Sequence, residues 1–465
     1  MMRQGEWGTK VYWSSQEQPS NQSRQANLPG ASGGGKIRDG AGPARFMPVL
    51  TLIIICFGLL AAASPVLGAG FALQQQGVAG MGQGNAYVAD ASDPTAIFYN
   101  PAGISQLKRP QVFVSTVFQY PDREYDGGAQ GTSETNHRIF KALQVYFAAP
   151  INDRVAVGLG FFTPFGLGSQ WPPTWQGRYL TTSSEMKTYN VNPTVSVKLM
   201  DNLSFAVGFD VMWSAVSLKR RAPVIPGVND AELDLTGSGH GFGYNLGLLY
   251  APIPDLKLGV SYRSGIDVKH NGKLDFKIVQ PPFVVPPFDR NGTAEISFPP
   301  MVTWGVAYSG VKPWTFLFDV NWTGWSSYDA LTLKLNDRFP LPPFAGARTL
   351  TTPKNWKDAF AFRFGTNYEI KPGMKLRAGY IYDMTPVPDS TFEPQLPDNN
   401  RHIFCLGGEL KYKRFTLGFA YNYVLIEERT KNNVIATNGV PAFRQANGIY
   451  NGNVHSLGIS TGFEF

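Results

Sequence analysis

Hydrophobicity alternates with a period of two residues over much of the chain, and this feature restricts the fold more than any other. In the last segment, HSLGISTGFEF, Leu457, Ile459 and Phe463 lie on one face of an extended chain, whereas glycine, serine and glutamate occupy the other face. An edge strand of a soluble protein shows the same alternation. The number and spacing of such segments therefore carry more weight than any single one.

Fourteen alternating segments follow residue 110, and the links between them alternate in length. The even-numbered links are tight (PIND, MDN, PIPD, GVKP, KPG and YKR), and the odd-numbered links are long. This regularity is typical of outer-membrane barrels, which have short periplasmic turns and long outer loops. The sequence therefore predicts an all-β fold, a 14-stranded antiparallel transmembrane β-barrel. The predicted strands are 111–120, 138–149, 154–165, 186–200, 202–220, 237–251, 256–270, 292–309, 314–333, 357–370, 374–384, 401–412, 414–427 and 453–465.

Composition agrees with this prediction and excludes several other functions. Charged residues make up 16% of the chain, below the roughly 25% of soluble domains, and aromatic residues make up 13%. A large soluble β-sandwich or propeller is the alternative on composition alone. The net charge of +7 falls to about +4 beyond residue 68, which is too little for a nucleic-acid surface. The 2 cysteines and 5 scattered histidines suggest no metal site, and we expect no cofactor.

The first 110 residues divide into three predicted regions. Residues 1–46 are polar and rich in glycine and serine, so we expect an unstructured extension, as a start codon assigned too early would give. Residues 47–68 contain the apolar run VLTLIIICFGLLAAA and predict a secretory signal peptide cleaved before Ala69, with an uncleaved anchor as the alternative. Residues 69–110 predict a hatch, or plug, and residues 111–465 the barrel. The terminal Phe465 is similar to the last residue of outer-membrane barrels, which predicts recognition by the barrel assembly machinery.

A plug is expected because fourteen strands enclose more space than their own side chains fill. Residues 69–110 are too few, and too rich in glycine and alanine, to form a core of their own. They are long enough to fold inside the barrel. If they did not, the protein would be an open pore.

The plug region is similar to a known family. The stretch AGFALQQQGVAGMGQGNAYVADASDPTAIFYNPAG resembles the N-terminal hatch of the FadL family of outer-membrane transporters for long-chain fatty acids, and its Asn100, Pro101 and Ala102 match the family's signature triplet. The resemblance continues in VYFAAPINDRVAVGLGFFTPFGLGSQW and WKDAFAFRFGTNY and covers residues 69–465. It implies a bacterial outer-membrane protein, a monomer, that transports fatty acids or similar hydrophobic compounds.

In that family, apolar outer loops capture the substrate, and a kink in the third strand releases it sideways into the membrane lipid. Here the third predicted strand contains Pro164, which cannot donate a hydrogen bond to a sheet, among several glycines. Pairing should therefore fail around Thr163, Pro164, Phe165 and Gly166. The alternative is that Pro164 simply ends the strand.

Candidate substrate-binding residues come from the same comparison. Arg220 matches a substrate-binding arginine of the family and Lys354 lies near a family lysine, while Lys357 and Arg363 are further candidates for a carboxylate site. Each of them could instead be a solvated charge or pair within the lumen. The apolar, proline-bearing fifth and seventh links predict an outer groove for an acyl or hydrocarbon chain. Its candidates are Val224, Ile225, Phe283, Val284, Val285 and Phe288.

Two other functions were weighed. A plug-gated porin for small polar solutes is the alternative reading of a plugged barrel. An enzyme is not expected, because the G-x-S-x-G match at Gly458–Gly462 lies within the last predicted strand, where the strand–turn–helix context of that motif is missing.

Overall fold

The computed structural model describes residues 70–225, 229–278, 287–340, 345–435 and 445–465, with only the backbone for 223–225 and 229. The predicted extension and signal peptide lie outside these residues. The helices in these ranges are short, and none is long and apolar enough to cross a membrane. They are α1 (Val78–Gly82), α2 (Ala96–Tyr99) and 3₁₀ turns at Pro101–Gln106, Gly128–Gln130, Trp325–Ser327 and Asp389–Thr391.

Within the described ranges, twenty strands form one antiparallel sheet. They are β1 (Gln111–Asp126), β2 (Thr132–Glu134), β3 (Phe140–Pro150), β4 (Val155–Phe162), β5 (Gly166–Gln170), β6 (Ser183–Met200), β7 (Leu203–Ile225), β8 (Asn229–Ile253), β9 (Leu256–Arg263), β10 (Ile266–Ile278), β11 (Phe288–Phe298), β12 (Met301–Tyr308), β13 (Trp314–Thr323), β14 (Ala330–Leu335), β15 (Thr349–Pro353), β16 (Ala359–Lys371), β17 (Met374–Asp383), β18 (Arg401–Tyr412), β19 (Phe415–Lys431) and β20 (Gly448–Glu464).

The sheet closes on itself, because β1 pairs with β20 from Gln111↔Glu464 to Asp126↔Ile449. The barrel has fourteen strands, as predicted. Among the described residues β2 pairs with β1 alone, and five of the barrel strands are interrupted and appear as two pieces each. The interrupted pairs are β4/β5, β9/β10, β11/β12, β13/β14 and β15/β16. Between β11 and β12 lie Pro299 and Pro300, which have no N–H to donate to a neighbouring strand.

Two predicted loops are largely strand. The fifth link was expected to be an outer loop, but β7 continues to Ile225 and β8 starts at Asn229. Ion pairs across the hairpin support the extension: Lys219 Nζ lies 2.7 Å from Asp234 and Arg221 lies 3.6 Å from Glu232. The seventh link is shortened likewise, and Phe288 is the first residue of β11, so its assignment to a loop was wrong.

The faces of the barrel strands differ as the alternation predicts. On β7, Phe209 and Trp213 are 49% and 47% exposed, whereas Asp210 and Ser214, the residues that follow each of them, are almost fully buried. Exposed aromatic residues continue on β8, with Phe242 and Tyr244. This apolar, aromatic outer face and polar inner face are those of a barrel whose outside contacts lipid.

Residues 70–107 touch strands on every side of this closed barrel, so they lie inside it. Glycines on the barrel strands allow the backbone of residues 70–107 to lie close to the wall. A Cβ on Gly247 of β8 would lie 2.3 Å from Asn100 Oδ1, and one on Gly407 of β18 would lie 2.8 Å from Gly82 Cα. We call residues 70–107 the inner segment.

Candidate functional site

The barrel wall is interrupted where the third barrel strand changes from β4 to β5. The β3–β4 ladder runs from Pro150↔Ala156 to Val145↔Phe161, and β5 then pairs with β6 starting at Gly166↔Lys187. No strand in the described ranges pairs with Phe140–Gln144 on the side that faces β5. The wall therefore lacks backbone pairing beside residues 163–165.

The start of the inner segment takes the place of the missing strand. Leu73 N donates to Pro164 O at 2.8 Å, and Gly166 N donates to Phe71 O at 2.8 Å. Between these two hydrogen bonds, Ala72 and Phe165 form an antiparallel bridge. The inner segment thus satisfies Pro164 O and Gly166 N, while Thr188 Oγ1 of β6 satisfies the N–H and C=O of Phe165.

Side chains add to this closure. Gln144 Nε2 donates to Gln75 O at 2.9 Å, Tyr146 Oη donates to Gln76 O at 2.7 Å, and Gln76 Nε2 donates to Thr163 O at 2.5 Å. Thr163 is buried, as is Phe140, whose ring lies directly over Gly168 of β5. The break is therefore covered in this state, and the cover consists mainly of residues 71–76.

The triplet residues hold a different part of the inner segment. Asn100 is fully buried, and its Nδ2 donates to Val88 O at 2.8 Å and to Leu248 O of β8 at 3.0 Å. Its Oδ1 accepts from Ala102 N at 3.1 Å and caps the 3₁₀ turn that starts at Pro101. Ser105 Oγ adds a 2.8 Å hydrogen bond to Ser204 Oγ of β7. Asn100 thus joins two parts of the inner segment to the wall.

An apolar cavity with about 910 Å³ of empty space, part of it open to solvent, lies against the inner segment. Apolar residues line most of it, including Leu167, Met186, Ile296 and Leu333. Phe71 lines it as well. The Phe71 ring contacts aromatic rings on several sides: Trp325 at 4.6 Å, Tyr328 and Trp356 at 5.4 Å, and Phe298 at 5.8 Å between centroids. The residue that pairs beside the wall break therefore also forms part of this apolar cavity.

A second cavity, of about 920 Å³, shares part of its wall with the apolar cavity. Leu218, Leu235 and Leu274 line both, as do Lys354 and Glu393. The second cavity also contains Arg220, so we call it the arginine cavity. The shared lining makes the two cavities neighbouring parts of one site.

The four candidate cations have different surroundings. Within the part of the chain that the structure describes, the Arg220 side chain lines the arginine cavity and makes no hydrogen bond or ion pair, and its guanidinium is charged at neutral pH. Lys354 is buried and ion-paired with Glu393. Lys357 is exposed and lines neither cavity. Arg363 is buried but lines two separate, smaller cavities beside Gln74. The structure brings together only Arg220 and Lys354.

The predicted outer groove is described only in part. Phe288 stacks on Phe276 of β10 at 4.7 Å between centroids and meets Phe339 edge-on at 5.6 Å. Only the backbone of Val224 and Ile225 is described, at the end of β7. Phe283, Val284 and Val285 lie outside the described residues.

Sequence reasoning missed the contribution of the eleventh link, residues 384–400. It folds over the site, where Val387, Leu396 and Glu393 line the apolar cavity. A signal was present, since MTPVPDSTFEPQLPDNN is as rich in proline as the seventh link that drew attention. The aromatic residues around Phe71 were missed because they are far apart in the chain.

Comparison with known proteins identifies the family of this barrel. A family model described as outer membrane protein transport protein (OMPP1/FadL/TodX) matches residues 59–465. The chain belongs to this family. It is therefore an outer-membrane protein of a transport family, as the barrel and the sequence resemblance predicted.

Relatives of this FadL-type barrel include proteins named long-chain fatty acid transport protein. The one from Salmonella typhi is 27% identical over 373 residues, covering 73% of this chain and 83% of that protein. The one from Escherichia coli K12 is 24% identical over 384 residues, with coverage of 73% and 83%.

Solved structures show the same fold at lower identity. A Pseudomonas aeruginosa FadL homologue superposes with a TM-score of 0.73 at 19% identity, covering 85% of this chain and 99% of that one. The Ralstonia pickettii toluene transporter TbuX gives 0.64 at 18% identity, with coverage of 84% and 98%. At these identities the two structures show that the fold is shared.

Proposed function

We propose that this protein takes up long-chain fatty acids or similar amphipathic compounds from outside the cell and delivers them to the outer-membrane lipid. The observation that carries the proposal is Arg220, a charged guanidinium without a partner among the described residues, in a cavity that adjoins an apolar one. A carboxylate would supply the missing partner through charge-assisted hydrogen bonds. The names of the fatty acid transport relatives support this substrate class.

The apolar cavity would hold the hydrocarbon chain. Each CH₂ group that moves from water into the cavity contributes about 0.8 kcal/mol to binding. A hydrocarbon chain of about ten carbons would therefore bind without any polar contact beyond the one at Arg220. Because the apolar cavity requires no polar group on the molecule that it binds, a hydrocarbon could bind there as well. Capture by an apolar outer groove that includes Phe288 precedes this step in our proposal.

We propose lateral release through the wall break at Thr163–Gly166. The backbone pairing of the wall is missing there, and residues 71–76 cover the break from inside. Phe71 belongs both to this cover and to the lining of the apolar cavity. A hydrocarbon chain that enters the cavity would therefore contact Phe71 and could displace the cover. Displacement of the cover would let the substrate pass into lipid without crossing water.

Replacing Arg220 by methionine tests the substrate class. We expect binding of dodecanoate to weaken about tenfold, because a charge-assisted pair is lost, while binding of dodecanol stays close to that of the unchanged protein. Calorimetry on the purified protein in lipid nanodiscs measures both ligands. Lys357→Met is the matched control, since Lys357 is an exposed cation outside both cavities. Equal loss for both ligands would argue against a carboxylate site.

The porin alternative makes an opposite prediction for polar solutes. With the inner segment in place, we expect liposomes that contain the protein to retain small sugars for as long as protein-free liposomes do. The inner segment touches strands around the whole barrel, which supports a closed lumen. Rapid sugar release from the protein-containing liposomes would favour the porin.

A further inference from the structure

Lys354, the cation that lines both cavities, is already neutralised. Its ammonium group forms an ion pair with the Glu393 carboxylate, and the two side chains are only 5% and 15% exposed. Both residues line the apolar cavity and the arginine cavity. A substrate therefore meets a neutral pair at Lys354, in contrast to Arg220, which has no partner among the residues that the structure describes.

The position of Glu393 is fixed by the fold of the eleventh link. Trp171 Nε1 donates to Pro394 O at 3.1 Å, and Ser169 Oγ of β5 donates to Gln395 O at 3.1 Å. On the other side of Glu393, Thr391 Oγ1 donates to Lys354 O. These contacts hold the backbone around Glu393 against β5 and against Lys354 itself. These hydrogen bonds thus position the Glu393 carboxylate next to the Lys354 ammonium group.

We propose that Glu393 is an internal counter-ion that competes with the substrate's carboxylate for Lys354 and so determines how strongly the site prefers anionic over uncharged substrates. This inference rests on the proposed function, because it assumes that the two cavities are the substrate site. It assigns to Glu393 a specificity role that is separate from the role of Arg220.

The physical basis is the high cost of leaving a buried charge without a partner. An uncharged apolar molecule can enter the apolar cavity while the Lys354–Glu393 pair stays intact. The carboxylate of a substrate can pair with Lys354 only by displacing Glu393, and Glu393 then stays mostly buried without a cation. The pair therefore lowers the affinity for carboxylates at Lys354 and leaves the affinity for hydrocarbons and alcohols unchanged.

Glu393→Gln tests this role by a gain of binding. Removal of the internal carboxylate leaves Lys354 as an unpaired buried cation, for which a substrate carboxylate is the natural partner. We expect dodecanoate to bind about tenfold more tightly than to the unchanged protein, and dodecanol to bind with the same affinity within about twofold. Calorimetry in lipid nanodiscs is the measurement, as for Arg220.

Two further variants keep the test sharp. In the double variant Lys354→Met/Glu393→Gln, the gain for dodecanoate should disappear, since the cation is gone. Glu232→Gln is the matched control, because Glu232 pairs with Arg221 and lines neither cavity. If Glu393→Gln fails to fold, Glu393→Asp draws the carboxylate back by one methylene and should give a smaller gain in the same direction.

The outcomes separate the inference from the proposed function. Unchanged or weaker dodecanoate binding in a folded Glu393→Gln protein would overturn the inference, even if Arg220→Met still weakens binding. Equal tightening for dodecanoate and dodecanol would also overturn it. A failure of the unchanged protein to bind either ligand would instead overturn the proposed function, and the inference with it.

Discussion

Oxidation of an Ala72→Cys/Phe165→Cys variant should abolish uptake of a long-chain fatty acid, and reduction should restore it. In the proposed route, residues 71–76 must leave the wall break before substrate can pass sideways. A covalent link at the Ala72–Phe165 bridge would hold these residues in place. We expect uptake of labelled oleate by cells that rely on this protein to fall to the level of cells that lack it.

The geometry at this bridge suits a disulfide. Hydrogen bonds from Leu73 to Pro164 and from Gly166 to Phe71 flank it, so Ala72 and Phe165 form a non-hydrogen-bonded antiparallel pair. Such pairs have Cα atoms about 4.5 Å apart, which is within the range that a disulfide spans. The native Cys405 is buried and should not interfere. The same protein in reductant controls for the loss of the Phe165 ring.

A second cross-link tests whether the place of the link matters. Ser105→Cys/Ser204→Cys joins the inner segment to β7, where the two hydroxyl oxygens are 2.8 Å apart. This part of the segment is not required to move in the proposed route, so oxidation should leave uptake largely intact. Full uptake by the completely oxidised Ala72→Cys/Phe165→Cys protein would rule out release through the break.

The barrel could be predicted from the sequence because its signals are local and repeated. Each strand carries its own alternation of faces, and each tight turn, such as PIND or KPG, separates two strands within a few residues. The strand number was right for this reason. Pro164 likewise marked the place where β4 ends, since the missing N–H is a property of that residue alone.

Features that depend on distant contacts could not be predicted in the same way. The fifth link was predicted to be a loop because it is apolar and contains prolines, yet cross-strand pairs such as Lys219–Asp234 extend β7 and β8. The partner of Lys354 could not be found either, since Glu393 is 39 residues away and reaches it only through the folding of residues 384–400. Local patterns give the strands, whereas the charge balance of the cavity is set by tertiary structure.

Asn100→Ala should have the second large effect, by detaching the inner segment from the wall. The change removes the donor to Val88 O and Leu248 O and the acceptor for Ala102 N in a fully buried position. Loss of these hydrogen bonds should cost about 3 kcal/mol, which increases the detached population about a hundredfold. The barrel ladder itself does not depend on Asn100, so the variant should still assemble.

If the inner segment leaves the lumen, we expect the fourteen-stranded barrel to be wide enough to pass water and small solutes. We therefore expect Asn100→Ala to raise the conductance of the protein in planar bilayers while it lowers the uptake of oleate by cells. Loss of uptake follows because the detached segment no longer presents Phe71 to the apolar cavity or covers the break in an ordered way. Asn152→Ala, an asparagine in an exposed turn between β3 and β4, is the matched control and should behave like the unchanged protein. Normal uptake together with an unchanged conductance in Asn100→Ala would show that the triplet does not hold the inner segment in place, and the hatch role proposed for it would have to be abandoned.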